Sequence, residues 1–371
     1  MRWVFVVLLV LHGLIHLMGF AKAFGYAALP QLTQPIARGM GLLWLLAAGL
    51  VLASASTFVT APRLFLWVGS AALIVSQLVI ATSFRDARFG TLANVLLLLA
   101  LILRFASHGP LGLRAEYAAV TRSELAASVR SPRLVTEADL KPLPGPVQAY
   151  LRFAGAVGQP QIVNFRATFR GRIRASVTAP WMAFEAEQHS FFGPLPSRLF
   201  LMDATMKGLP VDVFHRFVGE AATFRARVLS LFTMVDAKGP EMNRAETVTL
   251  FNDLCLLAPS RLVDPAIGWE PIDARHARAR FTRGAETIVA TLVFGEAGEL
   301  VDFVSDDRTA ASADGKTFTP LRWTTPVRDY RSFGPRKVMT FGEARWEPTT
   351  GSFAYGEFQL QDIEYDVGLT K

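Results

Sequence analysis

Two histidines, His12 and His16, stand four residues apart in an apolar run, a spacing that puts both imidazoles on one face of a helix. A pair so placed can share a divalent metal but cannot supply the opposed axial ligands of one haem. Gln77 and Asn94 also interrupt apolar runs, and if those runs are antiparallel spans, His16, Gln77 and Asn94 fall at similar depth. An ionisable group inside a membrane is costly and ordinarily turns towards the bundle interior. His12, His16, Gln77 and Asn94 are therefore read as a candidate intramembrane polar pocket. Mutual hydrogen bonding that holds the helices together is the simpler account of it. A metal ion or a small ligand is the alternative, and the sequence leaves the metal unknown.

Further along, the reactive side chains are scattered. His189, His215 and His276 lie in separate segments without ligand spacing, and Cys255 is the single cysteine, which excludes an internal disulfide. Glu185 and Glu187 share one strand face and Asp306-Asp307 closes another strand. Paired carboxylates can do acid–base work, so a membrane-bound, hydrolase-like enzyme is the second functional reading. No phosphate loop, Gly-x-Gly-x-x-Gly, Gly-x-Ser-x-Gly or His-Glu-x-x-His is present. No catalytic residue is assigned and no cofactor is expected.

Phe165–Val177 alternates throughout, with Phe165, Ala167, Phe169 and Ile173 on one face and Arg166, Arg170, Arg172 and Arg174 on the other. Four like charges at this spacing repel unless water or opposed carboxylates screen them, so that face is expected outside the core. Glu185 and Glu187 are suitable cross-strand partners. Anionic lipid headgroups are the functional alternative.

These residues must be positioned by two kinds of element. The first hundred residues carry one acidic residue, Asp86. A span needs roughly 20 apolar residues at about 1.5 Å each. Trp3–Phe20, Met40–Phe58 and Leu64–Phe84 meet this, and Thr91–Phe105 is short. Four spans are predicted. Arg2 before the first run resembles the start of a secretory signal, but no clear small-x-small site follows. Short links at Val59–Arg63 and Arg85–Gly90 predict antiparallel neighbours, and Gly41, Ala47, Ala48, Gly49, Gly69, Ser70, Ala71 and Ala72 favour close packing in lipid.

The formal charge is +7, but seven basic residues against Asp86 place +6 of it in the first 105 residues. The basic excess thus belongs to membrane flanks, and nucleic-acid binding loses its compositional support. Arg2, Arg63, Arg104, Arg114 and Arg122 flank one side, and Lys22, Arg38, Arg85 and Arg88 the other. Five against four favours a multi-pass protein of the cell (inner) membrane with a cytoplasmic soluble domain.

Residues 1–106 are read as the bundle, 107–131 as an amphipathic connector helix near the membrane surface, and 132–371 as an antiparallel β-rich domain, the boundary lying near Ser131. Leu113–Arg130 is amphipathic and Pro132 stops it; Val147–Phe153 makes one or two helical turns. Strands are predicted at Trp181–His189, Arg198–Asp203, Thr223–Leu229, Arg278–Thr282, Thr287–Phe294, Leu300–Asp306, Arg322–Tyr330, Lys337–Glu347 and Phe353–Tyr365. Turns are predicted at Glu296–Glu299, Ala313–Lys316 and Pro348–Gly351. Asn243 is expected to cap a helix over Arg244–Ala258, whose stripe of Val248, Phe251, Leu254, Cys255 and Ala258 packs on the apolar face of a curved sheet. A weaker helical segment is read at Pro210–His215.

Trp181–Gln188, Arg244–Asp253, Gly298–Phe303 and Ser305–Arg308 resemble a bacterial family whose shared domain has no assigned function. That resemblance spans about Leu140 to Tyr365 and carries no catalytic residues. The four spans are similar to small DoxX-like membrane proteins. A curved antiparallel sheet with a helix on its apolar face is similar to the half-barrels of lipoprotein carriers, a likeness that favours the opposite side of the membrane for the soluble domain. The many Phe and Trp residues and the lack of motifs favour, as the first functional reading, a membrane-tethered module binding an apolar or lipid-like ligand between sheet and helix, with Phe251 and Leu254 beside it. The bilayer is the expected partner, and nothing in the sequence fixes an oligomeric state.

Overall fold

The computed structural model describes residues 2–128, 133–312, 316–349 and 351–368. Arg130, Ser131 and Pro132 of the predicted connector and boundary, and Ala313, Asp314, Gly315 and Thr350 of two predicted turns, lie outside these residues. The chain divides into two compact units, Met1–Gly112 and Leu113–Lys371.

In the first unit, α1 (Arg2–Phe24), α2 (Arg38–Thr60), α3 (Pro62–Thr82) and α5 (Gly90–His108) are long helices, and α4 (Phe84–Ala87) is a single turn. Four helices are long and apolar enough to cross a membrane. The 19 residues of α5 extend the short run read from sequence, giving about 28 Å of helix. Close approach of α1 and α2 depends on glycine: a Cβ at Gly19 would lie 2.2 Å from the Trp44 ring, and one at Gly41 would lie 2.3 Å from Ala23 Cβ. The loop after α1 is tied to α4 through Asp86, whose carboxylate accepts from Thr33 N (2.6 Å), Thr33 Oγ1 (2.8 Å) and Gln34 N (3.0 Å).

The second unit opens with α6 (Leu113–Ala127), α7 (Glu137–Leu140) and α8 (Gly145–Phe153). A six-strand meander follows, β1 (Asn164–Ile173), β2 (Met182–Phe191), β3 (Ser197–Met206), β4 (Leu209–Val218), β5 (Ala221–Val228) and β6 (Phe232–Lys238). After α9 (Pro240–Leu257) come β7 (Ile267–Pro271), β8 (His276–Arg283), β9 (Glu286–Phe294) and β10 (Leu300–Ser305). A hairpin of β11 (Thr309–Ala311) and β12 (Phe318–Pro320) precedes β13 (Trp323–Thr324) and β14 (Val327–Arg328). The short pair β15 (Arg331–Phe333) and β16 (Arg336–Val338) leads to β17 (Phe341–Trp346) and β18 (Phe353–Tyr365).

Among the described residues one 14-stranded sheet runs in the order β6-β5-β4-β3-β2-β1-β18-β17-β13-β10-β9-β8-β7, with β14 paired to β17. Its pairs are antiparallel, and it curls into a half-barrel with α9 inside. The predicted fold class is thus the observed one.

The curl explains what the helical stripe did not. On a flat sheet α9 would expose its back, but a wrapped sheet buries polar positions as well as apolar ones, and Glu246, Thr247, Thr249 and Asn252 are all buried. The helix begins a turn before the predicted cap, with Gly239 at φ 108° ahead of Pro240. Asn243 lies within it and accepts from the Ala222 amide at 2.8 Å. The last-turn carbonyls, which lack helical partners, accept from two tyrosines, Tyr150 to Cys255 O (2.8 Å) and Tyr365 to Leu257 O (2.9 Å). The segment read as helical at Pro210–His215 is strand β4. Its inward Val211, Val213 and Phe217 pack in the core, while a histidine, His215, points inward and an aromatic, Phe214, points outward to pack with α6, which blurs the alternation. Helix α6 covers the convex side, Leu113 and Tyr117 packing with Phe191, Leu199, Leu201 and Phe214.

Candidate functional site

In the helical unit the polar residues form one buried network. His16 Nδ1 lies 2.9 Å from the His12 carbonyl and its Nε2 lies 2.9 Å from Ser76 Oγ. His12 Nε2 lies 3.1 Å from Asn94 Oδ1 and 3.2 Å from Ser76 Oγ. The Asn94 amide donates to Gln77 Oε1 at 2.9 Å, and Gln77 Nε2 reaches Thr91 Oγ1 at 3.4 Å. The two imidazoles meet edge to face at 4.5 Å, and Trp44 lies 5.3 Å from His16. His12, His16, Gln77 and Asn94 are thus brought together around a residue sequence reasoning passed over, Ser76. Among the described residues no group of three or more His, Cys, Asp or Glu side chains is placed to hold a metal ion.

The arginine face of β1 is on the convex side of the sheet. Arg166 pairs with Glu187 (2.6 Å) and Glu364 (2.9 Å), Arg170 with Glu185 (3.1 Å), and Arg172 with Glu357 (2.8 Å). Arg174 donates to the carbonyls of Ala354 (2.8 Å) and Val177 (3.0 Å), and its guanidinium lies over the Trp181 ring. Asp306 pairs with Arg322 at 2.8 Å. Glu185, Glu187 and Asp306 therefore occupy cross-strand ion pairs and do not converge on one another.

The concave side carries the stronger chemistry. Arg198 projects from β3 on the same face as Phe200 and Met202, and its guanidinium meets two carboxylates of α9, Asp253 at 2.6 Å and Glu246 at 3.2 Å. His215, opposite Phe200 on β4, lies 3.0 Å from Glu246, and Gln188 of β2 donates to Asp253 at 2.8 Å. Glu246 is fully buried. Burial by itself would raise its carboxyl, but the charges of His215 and Arg198 outweigh that and hold it at about 2. Burial pushes the His215 imidazole down, so near neutral pH a neutral ring donates its Nδ1–H to an ionised Glu246.

Next to this clasp the concave face is aromatic. Phe358 of β18 lies 5.3 Å from Phe184, 6.5 Å from Phe169 and 6.5 Å from Phe200 by ring centroids. Phe251 and Leu254 of α9 are sealed in the core, where Phe251 stacks on Phe281 at 4.8 Å. Beyond the helix, Phe358, Ile173, Met206, Phe224 and Val228 on the same concave face are only partly buried. Neither Arg198 nor Glu246 has a spacing signal. The available hint is that each is a charge on an otherwise apolar face, which demands a buried partner.

No curated protein matches the chain. Among solved structures, the chain is similar to a putative outer membrane lipoprotein-sorting protein domain from Vibrio parahaemolyticus, at 11% identity over 56% of this chain and 87% of that one, with a TM-score of 0.33. A DUF1329 family protein from Desulfovibrio piger matches at 13% identity over 56% and 88%, TM-score 0.35. A LolA superfamily protein from Nitrosomonas europaea matches at 10% over 59% and 92%, TM-score 0.33. Residues 133–358, more than half of the chain and all of the strands just described up to the middle of β18, match the family of unknown function DUF6544, and the chain belongs to that family.

Proposed function

We propose that this protein is a membrane-tethered binding module whose half-barrel takes an apolar or lipid-like ligand on its concave face, beside α9. The observation that carries the reading is the partly buried apolar group of Phe358, Ile173, Met206, Phe224 and Val228 on the concave face, with Phe169, Phe184 and Phe200 buried behind Phe358. Such a surface, apolar with a few fixed polar groups at one side, is the usual chemistry of a small-molecule site. Phe251 and Leu254 would form its wall through the core, and the arginines of β1, on the other face, would not touch the ligand. Purified full-length protein should bind a fluorescent fatty-acid probe. Phe358→Asp should weaken that binding about tenfold or more, since a lost aromatic contact costs about 1.5–3 kcal/mol and 1.4 kcal/mol is tenfold. Equal probe affinity in the two proteins would rule out this face.

The four apolar helices support a multi-pass anchor, and the flanking basic residues favour a cytoplasmic second unit in the inner membrane. A phosphatase reporter fused after Lys371 should then be inactive, and a cytoplasm-dependent fluorescent reporter bright. The reverse pattern would place the domain on the other side.

A further inference from the structure

In an antiparallel meander alternate turns share an edge, so the turns β1–β2, β3–β4 and β5–β6 lie together along one edge of β1–β6. These turns and the strand ends beside them expose Val177 (59%), Leu209 (42%), Leu231 (43%), Phe232 (64%) and Met234 (46%). Among the described residues of the second unit, the other exposed large apolar side chains are Leu134 and Ile272. The turn segments 174–181, 207–208 and 229–231 contain Arg174 and Lys207 and no acidic residue. Lys207, Leu229 and Ser230 all have positive φ, at 50°, 55° and 59°, tight turns that hold the neighbouring apolar side chains at the tips. A soluble domain rarely gathers its apolar side chains in this way without a use for them.

The chain itself says what covers them. Helix α6 runs antiparallel to β3: Arg114 at its start pairs with Asp203 near the β3–β4 turn, and Glu124 near its end accepts from Ser197 at the start of β3. The second unit is therefore entered at the edge that carries the apolar turns. The residues before α6, Gly109–Gly112, reach at most about 14 Å when extended, and α5 immediately precedes them. A short tether, apolar tips and basic, acid-free turns fit one occupant, the lipid–water interface of the membrane that the first unit spans.

We propose that the turns β1–β2, β3–β4 and β5–β6 form a bilayer-contact surface that rests Leu209, Leu231 and Phe232 in the headgroup and upper acyl region, with Arg174 and Lys207 at anionic headgroups. This holds whether or not the concave face takes a ligand.

The test uses the full-length chain in phosphatidylcholine–phosphatidylglycerol vesicles, with an environment-sensitive fluorophore on Leu209→Cys, Phe232→Cys or Val177→Cys. Glu220→Cys, on the β4–β5 turn at the opposite edge, is the control; Cys255 is buried. The three tip labels should be quenched by lipids carrying a nitroxide in the upper acyl chain, shielded from aqueous cobalt, and lose lipid quenching when the headgroups are made neutral and the salt is raised. The label at 220 should respond to cobalt alone. Tip labels as open to cobalt as the one at 220 would overturn the proposal. So would tip labels shielded from cobalt but untouched by the lipid quencher, which would assign the surface to a second copy of the chain or another protein.

Discussion

Arg198→Ala should destabilise the second unit by about 3–5 kcal/mol, the cost of leaving a buried charge without its partner. Arg198 is the cation facing both Asp253 and the fully buried Glu246, and it is itself buried. Hydrogen exchange of the full-length protein should show the α9 amides exchanging faster by two or more orders of magnitude, as 1.4 kcal/mol is tenfold. Neutralising the whole cluster, Arg198→Met with Glu246→Gln and Asp253→Asn, should recover much of the loss, because the penalty belongs to the unpaired charge and not to the absence of the pair. If Arg198→Ala exchanged within a factor of five of the parent, the buried clasp would not be holding the helix.

The same cluster sets a pH dependence. Glu246 has its folded value lowered to about 2. An acid depressed on folding contributes stability that is present above its unfolded value, near 4.3, and lost as pH falls towards 2. A shift of this size is worth about 3 kcal/mol at 1.36 kcal/mol per unit. His215 is also lowered, by burial, and has the same sign: below its ordinary 6.5 the unfolded chain takes up a proton more readily than the folded one, so stability falls with pH there too. Asp302, raised to about 6 by burial, works against both, losing stability as pH rises through that value. Subtracting the profile of Glu246→Gln from that of the parent removes the Asp302 contribution, and the difference should stay level from pH 7 to about pH 5 and shrink from there to pH 3.

What could be read in advance follows from how local each cause is. Strand β1 was legible because its faces meet different media, core against Phe165 and Phe169 and solvent with carboxylates against the arginines. Strand β4 was not, because Phe214 turns outward into the α6 contact while His215 turns inward to Glu246, so the period-two pattern is blurred. Strand β6 was hidden for the opposite reason: it is a sheet edge whose Phe232, Thr233 and Met234 are all exposed, and a bulge opposite Arg227 breaks its period. Helix α9 showed its stripe but not its burial, which depends on the curl of strands far away in sequence. The same distance hid the clasp, since Gln188, Arg198, His215, Glu246 and Asp253 come from four elements. Within the long apolar helices, histidine, glutamine and asparagine announce themselves against leucine. A serine does not, because its hydroxyl can return to its own helix, as Ser70 does to the Leu66 carbonyl at 2.6 Å.

Ser76 instead sits at the centre of the buried network of the helical unit, and proton accounting there gives the second large effect. His16 Nδ1 faces a carbonyl, so it carries the proton and its Nε2, 2.9 Å from the Ser76 hydroxyl, can only accept; that hydroxyl also lies 2.9 Å from Asn94 Oδ1, so its one proton serves two acceptors. Asn94 Oδ1 can only accept, so His12 carries its proton on Nε2 and donates across 3.1 Å. The Asn94 amide in turn supplies Gln77 Oε1. Asn94→Leu therefore removes one acceptor and one donor at a single stroke, leaving Gln77 Oε1 without its donor and His12 with only the longer 3.2 Å contact to Ser76 Oγ. At about 1–3 kcal/mol for each orphaned group, a loss of about 2–4 kcal/mol is expected in detergent unfolding of the full-length protein. Ser76→Ala leaves His16 Nε2 without a donor and takes a second contact from His12 and Asn94, which keep each other, and should cost about 1–3 kcal/mol. In a double-mutant cycle, His12→Leu with Asn94→Leu should cost less than the two singles together, by about 0.6–1.7 kcal/mol if the pair behaves like other interhelical hydrogen bonds in lipid. Strict additivity would mean that the two side chains are neighbours without being partners, and the network would then have to be redrawn around Ser76 and His16 alone.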